Sequence, residues 1–332
     1  MRKTPRRKTS LSDLFVPDGG FLQIKRNKRH ISGVLLLDKP HGITSNAALQ
    51  QVKRLYQAAK AGHTGNLDPI ATGLLPVCLG EATKFSQYLL DADKGYQATF
   101  KLGKTTTTGD AEGDVLTECP VKVSRIDVEH ALDRFVGAIS QVPPMYAAIK
   151  HQGRPLYAYA RAGVEIERAA RPVEIYSLRL DAFRGDELDI TVSCSKGTYI
   201  RVLAEDLGQA LGCGAFMSAL RRTAIGQFDL TQALTIPELE AMSLEERDSR
   251  LLPPDCLVTA LPKVELDPDS AYYVCQGQSV WQAKQRLSGQ VRMYDGRQRF
   301  IGVGEVTSDG KIAPKRLVVM PRVEPNTAAE GA

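Results

Sequence analysis

Gly62-His63-Thr64-Gly65-Asn66-Leu67-Asp68-Pro69-Ile70-Ala71-Thr72-Gly73 places three glycines, a histidine and one carboxylate within twelve residues. Glycine permits φ > 0 and close backbone approach at 62, 65 and 73, and Pro69 disfavours helical backbone at Asp68. The sole acid of the stretch is therefore expected in extended backbone. An isolated Asp-Pro pair commonly marks a turn. Here no charge follows until Glu81, so the carboxylate borders an apolar segment where its ionised form needs a partner. The stretch reads as a site.

The flanking sequence reads as alternating strands and helices. Upstream, the apolar run from Gly33 to Asp38 predicts a buried strand stopped by Lys39-Pro40. Thr44 and Ser45 can cap a helix with Ala48, Val52, Leu55, Tyr56 and Ala59 on one face. Downstream, strands over 74–79 and 96–102 enclose a short helix over 82–90, and Ser124 with Asp127 opens another helix. A hairpin is expected from 173–183 and 188–194 across Arg184-Gly185-Asp186-Glu187. Ile200, Leu203, Ala204, Leu207 and Leu211 fall in helical register, and Leu220-Arg221-Arg222 opens a further strand. Beyond Pro253-Pro254 the chain reads as short strands at Val280, 291–294, 300–306 and 317–319. Gly103-Lys104-Thr105 ends like a phosphate-cradling loop, but Ala98 stands where that loop needs glycine, so a nucleotide-triphosphate site is excluded.

Composition narrows the class. The 332 residues suit about two domains, and the 43% hydrophobic and 24% charged content is that of a globular protein. No apolar run approaches the roughly 20 residues a membrane helix needs. The basic, polar start lacks an export signal, so the cytoplasm is expected. Cysteines 78, 119, 194, 213, 256 and 275 show neither metal-ligand nor disulfide-framework spacing. Residues 1–30 hold nine Lys/Arg against Asp13 and Asp18, a net charge of +7, whereas the whole chain carries only +5. That segregation reads as a disordered basic arm meeting a polyanion. Residues 141–171 interleave Lys150, Arg154, Arg161, Arg168 and Arg171 with Tyr146, Tyr157 and Tyr159. Two readings stand there, an RNA-binding surface and a solvated helix.

An ordered set of segments closely resembles one enzyme family. Gly33 to Pro40, Gly62-His63-Thr64-Gly65-x-Leu67-Asp68-Pro69, Gly80-Glu81-Ala82-Thr83-Lys84, Lys94-x-Tyr96 and Lys196-Gly197-Thr198-Tyr199-Ile200-Arg201 resemble the TruB family of bacterial tRNA pseudouridine-55 synthases over residues 31–320. The resemblance implies an α+β fold: a mixed, mainly antiparallel sheet core with flanking helices over 31–250, an RNA-binding insertion near 141–171, and a small β-rich, PUA-like domain over 251–320. An arm before residue 31 and a disordered tail over 321–332 lie outside it. Two positions depart from the family pattern: Thr107 stands where Asp is usual, and Asn66 where threonine or a small residue is common.

The implied activity is isomerisation of uridine 55 in the tRNA T loop to pseudouridine, without metal or organic cofactor, by a monomer. The residue chemistry is compatible, since one ionised carboxylate can carry the sugar while the base turns. Asp68 matches the family nucleophile. Tyr96 matches the tyrosine stacked on the target base, Tyr199 and Leu220 match apolar walls of the uracil pocket, and His63 matches a residue organising flipped-out nucleotides. Arg201 matches the arginine paired with the nucleophile, and Lys39 and Pro40 match a motif supporting the loop. Lys150 and Arg154 are candidates to hold the displaced T arm, and Lys311, Lys315 and Arg316 to meet the acceptor stem. A noncatalytic RNA-binding or tRNA-folding factor would need the basic residues but not Asp68. A zinc deaminase would need H-x-E and P-C-x-x-C, which Pro76-Val77-Cys78 does not supply.

Overall fold

The computed structural model describes residues 28–281 and 287–319. The expected arm lies outside these residues except for its last three, and the expected tail lies wholly outside. Those three join the body: Arg29 pairs along its backbone with Ala58 and forms an ion pair with Asp248.

The first apolar run forms β1 (Gly33–Lys39). α1 (Ser45–Leu55) starts where the Thr44 hydroxyl accepts from the Ala47 amide at 3.1 Å, and it buries Ala48, Leu49 and Val52. After β2 (Ala61–His63) and the Asp68 loop the chain returns as β3 (Ala71–Leu79). The helix expected over 82–90 is broken into a 3₁₀ turn (Gly80–Lys84) and α2 (Gln87–Leu90). The break falls at Phe85, which is fully buried and meets Phe300 edge-on at 5.2 Å. β4 (Lys94–Leu102) leads to a ribbon of β5 (Lys104–Thr106) and β6 (Val115–Glu118). Ser124 and Asp127 close the expected capping box on α3 (Arg125–Asp133).

β7 (Gly137–Gln141) opens the insertion, which continues as a two-residue ribbon of β8 (Lys150–His151) and β9 (Arg154–Pro155) and then α4 (Leu156–Ala160). Only five residues there are helical, so the long solvated helix is not what forms. β10 (Arg171–Arg184) and β11 (Glu187–Cys194) make the expected hairpin, followed by α5 (Ile200–Ala210). β12 (Ala215–Ile225) begins well before Leu220, the expected start. β13 (Phe228–Asp229), α6 (Ile236–Ala241) and α7 (Leu244–Ser249) complete this part, with capping boxes on both helices.

The main sheet runs β1-β3-β12-β4-β11-β10-β7, with β2 on β3 and β13 on β12. Every pairing is antiparallel except β12 with β3. Placing β12 between β3 and β4 sets Leu220 opposite both Ala71 and Ala98, and Arg222 opposite both Gly73 and Tyr96. The approach at Gly73 requires glycine: φ is +99°, and a Cβ would lie 2.3 Å from the Arg222 carbonyl oxygen.

The C-terminal sheet, ordered β14-β16-β17-β18-β15, comprises β14 (Lys263–Glu265), β15 (Val280–Trp281), β16 (Gly289–Tyr294), β17 (Phe300–Val306) and β18 (Lys311–Leu317). A helix missed in the sequence, α8 (Pro268–Cys275), covers it; Asp267 caps it by accepting from the Ser270 amide at 2.9 Å. The last strand ends at Leu317, where a strand was expected to begin. Val264, Val274, Val291, Met293, Ile301 and Ile312 form the core of this module.

The two parts share a second apolar cluster in which Val303 and Phe300 meet Val34, Leu36, Leu74 and Phe85. Leu257 and Val258, just past Pro253-Pro254, are buried in it, so the expected boundary is packed rather than a free linker. A charged clasp reinforces the junction. Lys84 Nζ donates to the Leu317 carbonyl at 2.8 Å and pairs with Glu81 at 2.7 Å, while Glu81 Oε2 accepts from the Val319 amide at 2.6 Å. Among the described residues no helix is long and apolar enough to cross a membrane.

Candidate active site

Asp68 stands just before β3, and its loop is pinned on both sides. The Ser45 hydroxyl accepts from the Leu67 amide at 2.7 Å and donates to the Leu67 carbonyl at 3.0 Å. The Gly42 amide donates to Pro69 O at 2.8 Å, and the Ala71 amide to Asp68 O at 3.0 Å. The Asp-Pro turn is therefore real, and it presents the carboxylate rather than competing with that role. Gly65 uses a left-handed φ of +125°, whereas Gly62 lies in β2 and does not.

The Asp68 side chain keeps 39% exposure, at the edge of the apolar segment that follows it. Arg201 Nη2 lies 3.2 Å from Asp68 Oδ2, and Arg201 itself is buried. Protein atoms crowding the carboxylate raise its pKa above the ordinary aspartate value. Arg201 opposes that shift, nearby Asp110 adds to it, and Lys39 opposes it. The lone acid of the loop is thus held near a planar cation that favours its charged form.

Arg201 has three further partners. Its Nη1 lies 3.3 Å from Asp110 Oδ2 and donates to Thr108 O at 3.2 Å; Nη2 donates to Tyr146 O at 2.9 Å. One guanidinium therefore ties the Asp68 loop to the Thr105–Asp114 loop and to the insertion. Asp110 is buried, accepting from the Thr108 hydroxyl at 2.5 Å and the Glu112 amide at 3.1 Å. At the neck of that loop Thr107 exchanges bonds with Asp114: its amide donates to Asp114 O at 2.9 Å and its hydroxyl accepts from the Asp114 amide at 3.1 Å. Thr107 anchors the loop without the Asp usual in the family.

Tyr96 is buried on β4, and burial raises its phenol pKa while Arg222 lowers it. Tyr199, half-buried at the start of α5, is clamped by Gln141: its amide donates to Gln141 Oε1 at 2.9 Å and its carbonyl accepts from Nε2 at 3.3 Å. Leu220 lies half-buried on β12 between Ala71 and Ala98. His63, at the end of β2, has its Nδ1 buried without a hydrogen-bond partner. Burial and then Arg222 lower its pKa, so the ring is neutral near pH 7. Lys39 is fully buried, donates to Pro40 O at 2.9 Å and Ile43 O at 2.7 Å, and has its pKa lowered to about 8 by burial. It braces the turn that carries Gly42, while Pro40 is exposed.

Asp68 meets Arg201, and its charge is felt by Tyr96, Tyr199 and Lys39. Lys150 and Arg154 are exposed on the β8–β9 ribbon, where Arg154 stacks over Tyr159 at 4.9 Å and Arg161 over Tyr157 at 5.5 Å. Lys315 and Arg316 are exposed on the C-terminal sheet, and Lys315 pairs with Glu305 at 2.7 Å. Sequence reasoning missed Asp110, Gln141, Ser45 as a loop clamp, and Arg222. Only Asp110 carried a local cue, as the acid following Gly109 in a threonine-rich loop. Among the described residues no cluster of three His, Cys, Asp or Glu side chains is placed to hold a metal ion.

Comparison with known proteins places this geometry in context. Residues 53–200 match the description TruB family pseudouridylate synthase (N terminal domain). Residues 201–259 match the tRNA pseudouridylate synthase B C-terminal domain, and 262–318 match Pseudouridine synthase II TruB, C-terminal. The chain is 58% identical over 297 residues to tRNA pseudouridine synthase B of Methylobacillus flagellatus, covering 90% of this chain and 98% of the relative. It is 55% identical over 300 residues to the protein of that name from Pseudomonas fluorescens, covering 89% and 98%. Among solved structures it resembles a Cbf5-Nop10-Gar1 complex chain, with TM-score 0.67, 28% identity and coverage of 87% and 85%. It also resembles an H/ACA RNP bound to a substrate RNA containing 2′-deoxyuridine, with TM-score 0.65, 26% identity and coverage of 88% and 86%.

Proposed function

Because the chain belongs to the TruB family and is an enzyme isomerising uridine in tRNA to pseudouridine, we propose that its target is uridine 55 of the T loop and that Asp68 is the nucleophile. The observation that carries the assignment is the Asp68–Arg201 contact of 3.2 Å, with the carboxylate partly exposed and the guanidinium buried. Isomerisation breaks C1′–N1, turns the uracil and joins C5 to C1′. It consumes no redox equivalent, so a carboxylate holding the sugar meets its needs without a cofactor. Arg201 keeps that carboxylate ionised against the crowding that raises its pKa.

A uridine in a folded T loop must be extruded to reach Asp68, at a cost of a few kcal/mol that protein contacts offset. Tyr96 and Tyr199 supply faces for the extruded base, Leu220 an apolar wall, and His63 a neutral polar group for the neighbouring nucleotides. The stacked Arg154–Tyr159 pair with Lys150 suits the phosphates and bases of the displaced arm. Lys315 and Arg316 suit acceptor-stem phosphates, which position the RNA without specifying it. The reading takes one chain as the active unit and the cytoplasm as its place of work. The test is pseudouridine mapping of unmodified tRNA incubated with the purified protein: modification at uridine 55 alone supports the reading, and modification elsewhere or nowhere contradicts it.

A further inference from the structure

Among the described residues Arg222 is the largest fully buried side chain, 1% exposed, and no carboxylate ion pair is found for it there. A buried charge is costly unless something compensates it. Its guanidinium is only partly satisfied. Nε donates to Leu74 O at 2.7 Å and Nη1 to Asn66 O at 3.3 Å, while Nη2 is buried with no hydrogen-bond partner. The two carbonyls lie on either side of Asp68 along the chain, so one side chain spans the nucleophile loop from beneath. Arg222 is also the cross-strand neighbour of Tyr96, whose hydroxyl lies beside the guanidinium. Among the groups with a shifted pKa, His63, Lys39 and Lys94 also feel its charge. The cation beside Tyr96 thus has no carboxylate partner among the described residues, an arrangement that folding alone does not favour.

Resting on the reading of Asp68 as nucleophile, we propose that Arg222 is a positioning residue of the isomerisation: acting through Tyr96, it sets the phenol against the base and supplies the positive field that favours the detached uracil anion. When C1′–N1 breaks, its electron pair stays on N1 and C1′ takes an Asp68 oxygen. Uracil is then an anion until C5 bonds C1′ and releases the Asp68 carboxylate; the C5 proton then passes to water and N1 takes one up, which leaves neutral pseudouridine. A fixed cation behind the stacked ring favours that interval more than the neutral ground state.

The experiment is single-turnover isomerisation with saturating tRNA, alongside tRNA binding and thermal melting. It compares Arg222→Gln and Arg222→Lys in wild-type and Tyr96→Phe backgrounds. Arg222→Gln is expected to slow the chemical step about tenfold or more with Kd within about twofold, and Arg222→Lys to recover most of the rate. The loss should be smaller in the Tyr96→Phe background, because the part that acts through the hydroxyl is already gone while the part due to the field remains. Arg222→Lys keeps the charge, and its rate serves as the second measurement if Arg222→Gln does not fold.

A wild-type rate for Arg222→Gln, equal losses in both backgrounds, a loss confined to Kd or melting, or a rate for Arg222→Lys as low as that of Arg222→Gln would each overturn the assignment. Asp68→Asn run in parallel keeps the two readings apart. If it is inactive while Arg222→Gln is unimpaired, only the role of Arg222 fails; if it is active, the nucleophile fails.

Discussion

Arg201→Met removes the cation from a carboxylate whose ionisation the mechanism requires. At 3.2 Å and an effective dielectric suited to the protein surface, such a contact is worth on the order of 4 kcal/mol. Asp68 keeps 39% of its exposure, so solvent screening reduces that to about 1–3 kcal/mol, or about one to two pKa units. The sign follows from the opposing influences. Crowding already raises the Asp68 pKa and Arg201 holds it down, so losing the cation moves it further up. The ionised fraction then falls first at low pH, and the acidic limb of the rate profile shifts upward by about one to two pH units. The assay is single-turnover release of tritium from C5-labelled tRNA across pH, since forming C5–C1′ expels that hydrogen. Arg201→Lys should shift less, keeping the charge but not the fork to Asp110, Thr108 and Tyr146. Asp68→Asn/Arg201→Met should be no slower than Asp68→Asn alone. A profile for Arg201→Met that superimposes on wild type would refute the pairing.

Other consequences can be checked independently. Removing residues 1–27, with seven Lys/Arg against two Asp, should weaken tRNA binding and flatten its salt dependence without moving the modified position; an unchanged slope in a binding titration would mean the arm does not touch RNA. The cut is placed before Lys28 because Arg29 holds Asp248. Gly73→Ala should destabilise by about 3 kcal/mol or more in chemical denaturation, since its Cβ would meet the Arg222 backbone in a left-handed conformation. Lys84→Met should cost about 1–2 kcal/mol and increase proteolysis near Pro253, because it removes a charged bond to the Leu317 carbonyl.

The Asp68 loop was legible because its chemistry is local: Pro69 and the glycines constrain the backbone around one acid. Helices with capping boxes, such as α3, were legible for the same reason. Arg201 as partner to Asp68 came only through family resemblance, since nothing in its own stretch points to residue 68. Arg222 and Gln141 gave no signal, because their roles arise from β12 entering between β3 and β4 and from β7 ending beside Tyr199. Ser45 looked like a helix cap, and its bonds to Leu67 appear only once α1 packs beside the loop. The helix over 82–90 broke where Phe85 was drawn into the junction with Phe300, a tertiary demand that local periodicity does not contain.

The most direct test of the account is single-turnover pseudouridine mapping with Asp68→Asn, in which the amide keeps the size of the side chain but cannot act as an anionic nucleophile. The account predicts no pseudouridine while tRNA binding is retained. Pseudouridine formed by Asp68→Asn at near wild-type rate would contradict it.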